Sequence, residues 1–262
     1  MYSDDLAHIH HLGFTRLARG LAPELLSLLR RANLRPRARD LRPRGANLRP
    51  RGANLRPPTI VEVGCGSGVL AARLVAAGYD VVGIDRSPAM IRIARATAPG
   101  ARFRVARLER ASLPPAIAVI AVGEIVTYVP GGLPVLQRFF ERVRRALRPR
   151  GLLVFDFIES AERRTYRRKV VEGDDWKIVL SASTNRSGRV LTRRMTLRRL
   201  IDGRWRTSTE AHRVRIYPRG EMAAALTKAG FRFEMRRTLG RYRLIAGDLV
   251  VVASAETSVP GR

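Results

Sequence analysis

Short apolar runs alternate with amphipathic segments between residues 59 and 157. The runs are too short for helices, so they predict buried strands at 59–63, 80–84, 102–105, 116–122 and 151–157. The segments between them carry apolar residues at helical spacing and predict helices at 67–77, 88–97 and 134–147. Such alternation is typical of parallel strands joined by right-handed crossover helices.

The pattern changes near residue 170, where single apolar residues alternate with polar ones. This period of two predicts antiparallel strands at about 175–184, 188–201 and 204–216, with a tight hairpin turn at Asp202-Gly203. A helix at 219–229 and two closing strands at 231–237 and 248–253 follow. We therefore expect an α/β fold: a doubly wound, mostly parallel seven-stranded sheet with an antiparallel β segment inserted at about 170–217.

The first 58 residues differ from the rest of the chain. Residues 1–31 predict a helical cap, in which Gly13, Gly20 and Pro23 are expected to break the helix. Residues 32–58 hold a seven-residue tandem repeat of the type Ala-Asn-Leu-Arg-Pro-Arg-Gly. Proline in every unit forbids a continuous helix, so we expect an extended basic linker before the main domain at 59–262.

A glycine-rich turn joins the first predicted strand to its helix. The turn reads Gly64-Cys65-Gly66-Ser67-Gly68, and the next strand ends in Asp85. Glycines at such a turn bring backbone N–H groups and a helix N-terminus close to a ligand. An acid about 20 residues later is placed to bind ribose hydroxyls. A dinucleotide fingerprint would need a small third residue at position 69, and Val69 argues against it.

This stretch, with Glu62 two residues before the first glycine, resembles the first motif of class I S-adenosylmethionine-dependent methyltransferases. Gly123-Glu124-Ile125-Val126-Thr127-Tyr128 and Glu210-Ala211-His212 resemble further signatures of the small-molecule members. The resemblance implies a Rossmann-like methyltransferase domain with S-adenosylmethionine as its cofactor. The cofactor residues that it implies are Glu62, Gly64, Cys65, Gly66, Gly68, Asp85, Arg86 and Glu124.

The reaction implied by the resemblance is direct displacement of a methyl group from a sulfonium, which needs alignment and, for some acceptors, a base. Candidate catalytic residues are Glu124, His212 and Tyr128. Glu124 fits three roles, namely cofactor or cationic-substrate ligand, base, or plain partner of an arginine. Tyr128 fits the acceptor pocket or simple packing, and His212 fits a general base or a solvent-facing position.

Two positions depart from a simple picture. Arg107 stands where many family members place an acid that accepts from the adenine amino group, and a guanidinium cannot accept. Glu109 or a backbone carbonyl would have to replace that acid; otherwise the protein binds its cofactor weakly. His8, His10 and His11 lie on the N-terminal helix without nearby acids or cysteines. We interpret them as a solvated or pocket-capping face and expect no metal site.

Composition adds constraints on partners. The formal net charge is +28, yet the 50 basic residues are 47 Arg and only 3 Lys, a ratio that favours codon bias over selection for phosphate binding. We expect a small-molecule acceptor; an RNA methyltransferase, or a weakened cofactor-binding protein, is the alternative. No apolar run approaches a membrane span, no leader is visible, and a single cysteine fits a reducing compartment, so we expect a cytoplasmic protein. The sequence leaves the oligomeric state open.

The repeat yields a first prediction. Deleting one seven-residue unit from 32–58 should change the free energy of unfolding by less than about 0.6 kcal/mol, since closure entropy depends only slowly on loop length. Cofactor affinity should also stay unchanged. Chemical denaturation of the wild type and the deletion variant checks this, and a large loss of stability would mean that the repeat is packed against the domain.

Overall fold

The computed structural model describes residues 2–36, 57–162 and 164–255. Most of the predicted linker, residues 37–56, lies outside the described residues. The strands are β1 (Thr59–Val63), β2 (Asp80–Asp85), β3 (Arg102–Val105), β4 (Ala116–Ala121), β5 (Leu147–Ile158), β6 (Tyr166–Glu172), β7 (Trp176–Thr184), β8 (Val190–Ile201), β9 (Arg204–Arg215), β10 (Phe231–Arg236), β11 (Thr238–Leu239), β12 (Tyr242–Arg243) and β13 (Asp248–Ala255). The helices are α1 (Asp4–Gly13), α2 (Arg16–Arg31), α3 (Val69–Ala76), α4 (Pro88–Thr97), α5 (Leu133–Ala146) and α6 (Arg219–Lys228).

The central sheet has the order β10-β13-β5-β4-β1-β2-β3. Neighbours from β5 to β3 are parallel, while β13 pairs antiparallel with both β5 and β10. The predicted doubly wound, mostly parallel seven-stranded sheet is therefore confirmed. The chain order reverses between β1 and β4, and in such sheets the crevice at the carboxyl ends of these strands is where ligands bind.

Apolar layers cover both faces of the central sheet. On one face α5 buries Phe139, Phe140 and Val143 with residues of α6, and this spacing is that of a helical stripe. On the other face α2 and α3 bury Leu25 and Leu74 against the same strands. Because β4 is buried along its whole length, its sequence is continuously apolar rather than alternating.

The N-terminal cap differs from the prediction in one respect. α2 runs unbroken through Gly20 and Pro23, although the sequence predicts breaks there. Burial of its apolar face against the sheet offsets the hydrogen bond lost at proline. Gly20 is needed for packing, because a Cβ at this position would overlap the ring of Tyr242. The break at Gly13 is confirmed, since α1 ends there.

The inserted segment forms a separate antiparallel sheet in the order β6-β7-β8-β9. The three predicted strands are present, and Asp202 and Gly203 turn the last hairpin with positive φ angles of 48° and 73°. The edge strand β6 was not predicted. Its run of Arg167-Arg168-Lys169 lies on an exposed edge, so it lacks the apolar alternation that reveals a half-buried strand.

Contacts at its N-terminal end hold α1 on this inserted sheet. Asp5 is buried and accepts hydrogen bonds from Ser208 (2.9 Å) and the guanidinium of Arg206, while Glu210 accepts from the Ser3 backbone N–H at 2.9 Å. Trp176 of β7 packs on α1 at Gly13, where a Cβ would come within 2.6 Å of the indole. The described residues contain no helix that is both long and apolar enough to cross a membrane.

The two tryptophans allow a matched test of this packing. Trp176 is 6% exposed and Trp205 is 46% exposed. Trp176→Ala should lower the free energy of unfolding by about 3–5 kcal/mol, because it leaves a cavity between α1 and the inserted sheet. Trp205→Ala removes mainly a contact with the Arg198 guanidinium and should cost about 1 kcal/mol or less. Equal losses in denaturant titrations would contradict the assigned packing.

Candidate active site

A cavity of about 380 Å³ opens at the carboxyl ends of β1, β2 and β4. Its wall combines the glycine turn after β1, the residues after β2 and β3, the segment after β4, and the N-terminal helices. Such a position, at the point where the strand order reverses, is the usual ligand site of doubly wound sheets. The cavity therefore is the candidate active site, and it lies where the sequence predicts a nucleotide.

The glycine turn lines the cavity with backbone rather than side chains. Gly64 and Gly66 have positive φ angles of 72° and 52°, which explains the need for glycine at both. Apart from its two chain neighbours, no described residue has an atom within 4 Å of the position that a Cβ on Gly66 would take, and Cys65 also lines the wall. Gly68 packs instead against Ala94 of α4, where an added Cβ would lie 3.0 Å from the Ala94 Cα, and Gly68 is not part of the wall.

Glu62 places a buried carboxyl group at the turn. It is 4% exposed, and within the described part of the chain its Oε2 has no hydrogen-bond partner. Burial, together with the nearby negative charge of Asp85, raises the pKa of Glu62 to about 8. A cationic ligand in the cavity would supply the missing partner and favour the charged carboxylate.

Asp85 lies at the end of β2, as predicted, with its carboxylate on the cavity wall. Its oxygens accept hydrogen bonds from the backbone N–H groups of Gly66 (3.0 Å) and Ser87 (2.8 Å). Ser87 caps α4, since its Oγ accepts from the Met90 N–H at 3.3 Å. Burial raises the pKa of Asp85 above its ordinary value. Each oxygen keeps a lone pair for a ligand hydroxyl.

The residues after β3 form another part of the wall. Arg107 and Glu109 both line the cavity, and their charged groups are 3.7 Å apart. The Arg107 side chain is largely exposed, whereas the Glu109 side chain is mostly buried. Glu109, one of the two predicted substitutes for the acid that Arg107 replaces, is therefore within reach of a ligand.

The N-terminal segment closes the cavity with side chains that the sequence reasoning mostly missed. Tyr2, His10 and Phe14 line the wall, and the Tyr2 carbonyl accepts from Ser87 Oγ at 3.1 Å. His10 stacks on Phe14 with ring centroids 6.0 Å apart, and burial lowers the pKa of His10 to about 4. The pocket-capping interpretation of the histidine face could have found His10; Tyr2 carries no sequence signal of its own.

Tyr128 is brought to the wall by the short 3-10 helix Ile125–Tyr128. Its hydroxyl oxygen accepts from Arg193 Nη1 at 3.1 Å, and the guanidinium of Arg86 lies over its ring at 5.5 Å. Burial raises the pKa of Tyr128 above its ordinary value, so the group stays a phenol. Because the Arg193 guanidinium can only donate, the O–H group of Tyr128 can donate its own hydrogen bond to another acceptor.

Glu124 does not occupy the place expected for a base. Its Oε1 accepts from Arg164 Nη1 and its Oε2 from Arg193 Nη2, each at 2.7 Å, and it is not among the residues that line the cavity. Burial opposes ionisation, but the charges of Arg193 and Arg164 hold the pKa of Glu124 below its ordinary value. Of the three predicted roles, the geometry matches the partner of an arginine.

His212 also lies behind the cavity wall. It is 5% exposed, and its Nε2 is 2.9 Å from Glu210 Oε2. Its ring contacts those of Tyr2 and Tyr128, with centroids 5.1 and 5.9 Å away, but His212 is not part of the wall. Neither of the two predicted environments, a base in the cavity or a solvent-facing side chain, matches this buried position.

Two further acids support the Glu124 region. Asp156 is buried, and its Oδ1 accepts from the backbone N–H groups of Gly123 (2.7 Å) and Glu124 (3.0 Å). Burial raises the pKa of Asp156 to about 7. Asp248 forms an ion pair with Arg164 at the start of β13. These contacts hold the segment after β4 in the conformation that presents Tyr128.

Known proteins resemble this chain in sequence and in fold. Residues 60–151 match the sequence family described as a methyltransferase domain. Over 138 residues the chain is 30% identical to the trans-aconitate 2-methyltransferase of Methylobacterium radiotolerans, an alignment that covers 50% of this chain and 51% of that protein. The chain thus spans about half the length of the curated relative that it matches.

Solved structures share the fold across almost the whole chain. A S-adenosylmethionine-dependent methyltransferase from Clostridium acetobutylicum has a TM-score of 0.76 at 11% identity, covering 96% of this chain and 98% of its own. An amino pentose methyltransferase from Micromonospora echinaspora has a TM-score of 0.71 at 18% identity, and the match covers 98% of both chains. The sugar N-methyltransferase KedS8 from Streptoalloteichus has a TM-score of 0.72 at 20% identity. This match covers 98% of this chain and 96% of that protein.

Glu62 generates a prediction about pH. Since its folded pKa of about 8 exceeds the ordinary 4.5, the native protein holds a proton that the unfolded chain has lost between these values. Stability without ligand should therefore fall as pH rises from about 4.5 to 8. The free energy of unfolding of Glu62→Gln should decrease less over this pH range than that of the wild type. At pH 8 the variant should be more stable than the wild type by roughly 1–4 kcal/mol.

Denaturant titrations over this pH range test the prediction. Glu172→Gln is the matched control, because the Glu172 side chain is 62% exposed and pairs with Lys177. The control should follow the wild-type pH dependence. An unchanged slope in Glu62→Gln would mean that the buried carboxyl does not titrate as assigned.

Proposed function

We infer that this chain is a class I S-adenosylmethionine-dependent methyltransferase that transfers the methyl group of S-adenosylmethionine to a small-molecule acceptor. The observation that carries this proposal is the buried Glu62 carboxyl beside the glycine turn, whose Oε2 has no hydrogen-bond partner among the described residues and which shares the cavity wall with Asp85. Such a pair suits a ligand with one cationic and one hydroxyl-bearing part.

The residues present fit this cofactor. Glu62 would hold the ammonium group, and Gly66, where a Cβ would point into open space, lets the ligand approach the backbone closely. Asp85 would accept hydrogen bonds from the ribose hydroxyls. When bound, the cofactor supplies a methyl group on an activated sulfonium leaving group.

The residues after β3 would bind the adenine end of the cofactor. Arg107 cannot accept a hydrogen bond from an amino group, and we assign that role to Glu109, whose carboxylate lies on the wall. The loose 3.7 Å contact with Arg107 leaves the Glu109 oxygens with further capacity to accept. The arginine at this position therefore does not remove the acceptor that the site needs.

Catalysis then depends on alignment in an enclosed site. Tyr128 is the predicted catalytic residue that lies on the wall, and we place its hydroxyl against the acceptor. Glu124 and His212 are positioning residues in this proposal, because Glu124 holds Arg193 and His212 packs on the rings of Tyr2 and Tyr128. Orienting two reactants in this way accounts for much of the rate that displacement reactions gain in enzymes.

The covering by α1 supports a small acceptor over RNA. Tyr2, His10 and Phe14 close the cavity with aromatic rings, and α1 is tied to the inserted sheet through Asp5. A base flipped out of an RNA chain would need a cavity that is open enough to admit the base while the rest of the chain stays outside. The names of the similar proteins, an aconitate and two sugar methyltransferases among them, are consistent with small polar acceptors for this chain.

Asp85 provides the test of the cofactor assignment. Asp85→Ala should weaken binding of S-adenosylhomocysteine roughly 10- to 100-fold, because it removes charge-assisted hydrogen bonds to the ribose. Asp80→Ala is the matched control: Asp80 begins the same strand and pairs with Arg102, away from the cavity wall. Isothermal titration should show a loss for Asp85→Ala alone, and wild-type affinity in a folded Asp85→Ala protein would remove Asp85 from the site.

A further inference from the structure

The charged groups on the cavity wall are unevenly distributed. Its carboxylates, Glu62, Asp85 and Glu109, all come from the turns after β1, β2 and β3, where the proposed function places the cofactor. The remaining wall, built from the N-terminal segment and the segment after β4, carries Tyr2, His10 and Tyr128, and none of its described residues is a carboxylate.

Arg86 brings a positive charge to that second part of the wall. It follows Asp85 in sequence, but its guanidinium lies over the Tyr128 ring. Its charge acts on Asp85, yet among the described residues no carboxylate lies within ion-pair distance of Arg86. Its hydrogen-bond donors therefore remain available to a ligand that reaches Tyr128.

The Tyr128 hydroxyl adds a second donor beside this guanidinium. Arg193 Nη1 occupies a lone pair of the phenol oxygen, and Glu124 fixes Arg193 from behind. Among the described residues no side chain accepts the phenol proton, and Tyr128 lines the cavity. A guanidinium and a phenol on one surface match the two oxygens of a carboxylate.

We propose that the acceptor is a carboxylate on a small molecule, held by Arg86 and the Tyr128 hydroxyl, and that the product is its methyl ester. This rests on the proposed function. One carboxylate oxygen attacks the methyl carbon and forms the new C–O bond, while the C–S bond breaks and its electron pair goes to sulfur. No proton moves, so the reaction needs no base.

Among the residues that the structure describes, this part of the wall offers no suitable base, which agrees with a carboxylate acceptor. Glu124 and His212 lie behind the wall in hydrogen-bonded pairs, and burial lowers the pKa of His10 to about 4, which makes it a weak proton acceptor. An ammonium acceptor would lie next to the positive charge of Arg86 rather than next to a carboxylate, and it would have to lose a proton before it could react. A carboxylate meets donors and reacts in the form present at neutral pH.

The test compares three phenyl compounds that differ in the reacting group, and it adds one acyclic tricarboxylate. Benzoate, benzylamine and phenol, together with trans-aconitate, are titrated into the full-length protein saturated with S-adenosylhomocysteine. The carboxylates should bind more tightly than the amine and the phenol. Arg86→Met should weaken carboxylate binding roughly 10- to 100-fold, and Tyr128→Phe should weaken it less, since it removes a neutral donor.

A matched control and a product assay complete the experiment. Arg104→Met alters an exposed arginine of the neighbouring strand that is not on the cavity wall, and it should bind all four probes like the wild type. With S-adenosylmethionine labelled in the methyl group, mild alkali should release labelled methanol from an ester product, whereas an N-methyl product keeps its label.

The outcomes distinguish the carboxylate acceptor from the proposed methyl transfer itself. Tighter carboxylate binding that depends on Arg86, with alkali-labile label, supports the inference. Equal or tighter binding of the amine or phenol, or an alkali-stable product, overturns the carboxylate assignment and leaves methyl transfer standing. Failure of both S-adenosylmethionine and S-adenosylhomocysteine to bind the wild type would overturn the proposed function itself.

Discussion

The buried pairing of Glu124 with Arg164 and Arg193 joins the parts of this molecule that form the active site. Glu124 follows β4 of the central sheet, Arg193 belongs to β8 of the inserted sheet, and Arg164 lies between β5 and β6. Charges removed from water are costly unless their geometry is good and their remaining atoms are paired. The two contacts of 2.7 Å therefore hold the inserted sheet against the end of the central sheet in a narrow range of positions.

That arrangement also determines how the cavity wall is built. Arg193 holds the Tyr128 hydroxyl, and the inserted sheet carries α1, so that His10 of this helix and the preceding Tyr2 lie over the cavity. Asp156 holds the backbone N–H groups of Gly123 and Glu124 from the adjacent strand. One side of the cavity thus comes from the sheet itself, and the other depends on tertiary contacts among distant charged residues.

The arginine-rich composition takes on structural meaning in this context. Arg164, Arg193, Arg199 and Arg206 each pair with a partly or fully buried acid, so a share of the basic residues holds the fold together. Arginine suits such positions because its guanidinium stays charged and donates along several directions at once. The net charge of +28 therefore counts residues with quite different tasks, and it does not by itself indicate a polyanionic partner.

Local sequence determined the central sheet, the glycine turn and the positions of Glu62 and Asp85, because each depends on residues that are contiguous or separated by one βαβ unit. The unbroken α2, the edge strand β6 and the cavity-facing Tyr2 depended on burial supplied by other parts of the chain. The position of Glu124 shows the limit most clearly. Its motif located it after β4, but its partners lie 40 and 69 residues away, and only their meeting in the folded chain turned its carboxylate from the cavity to the two arginines.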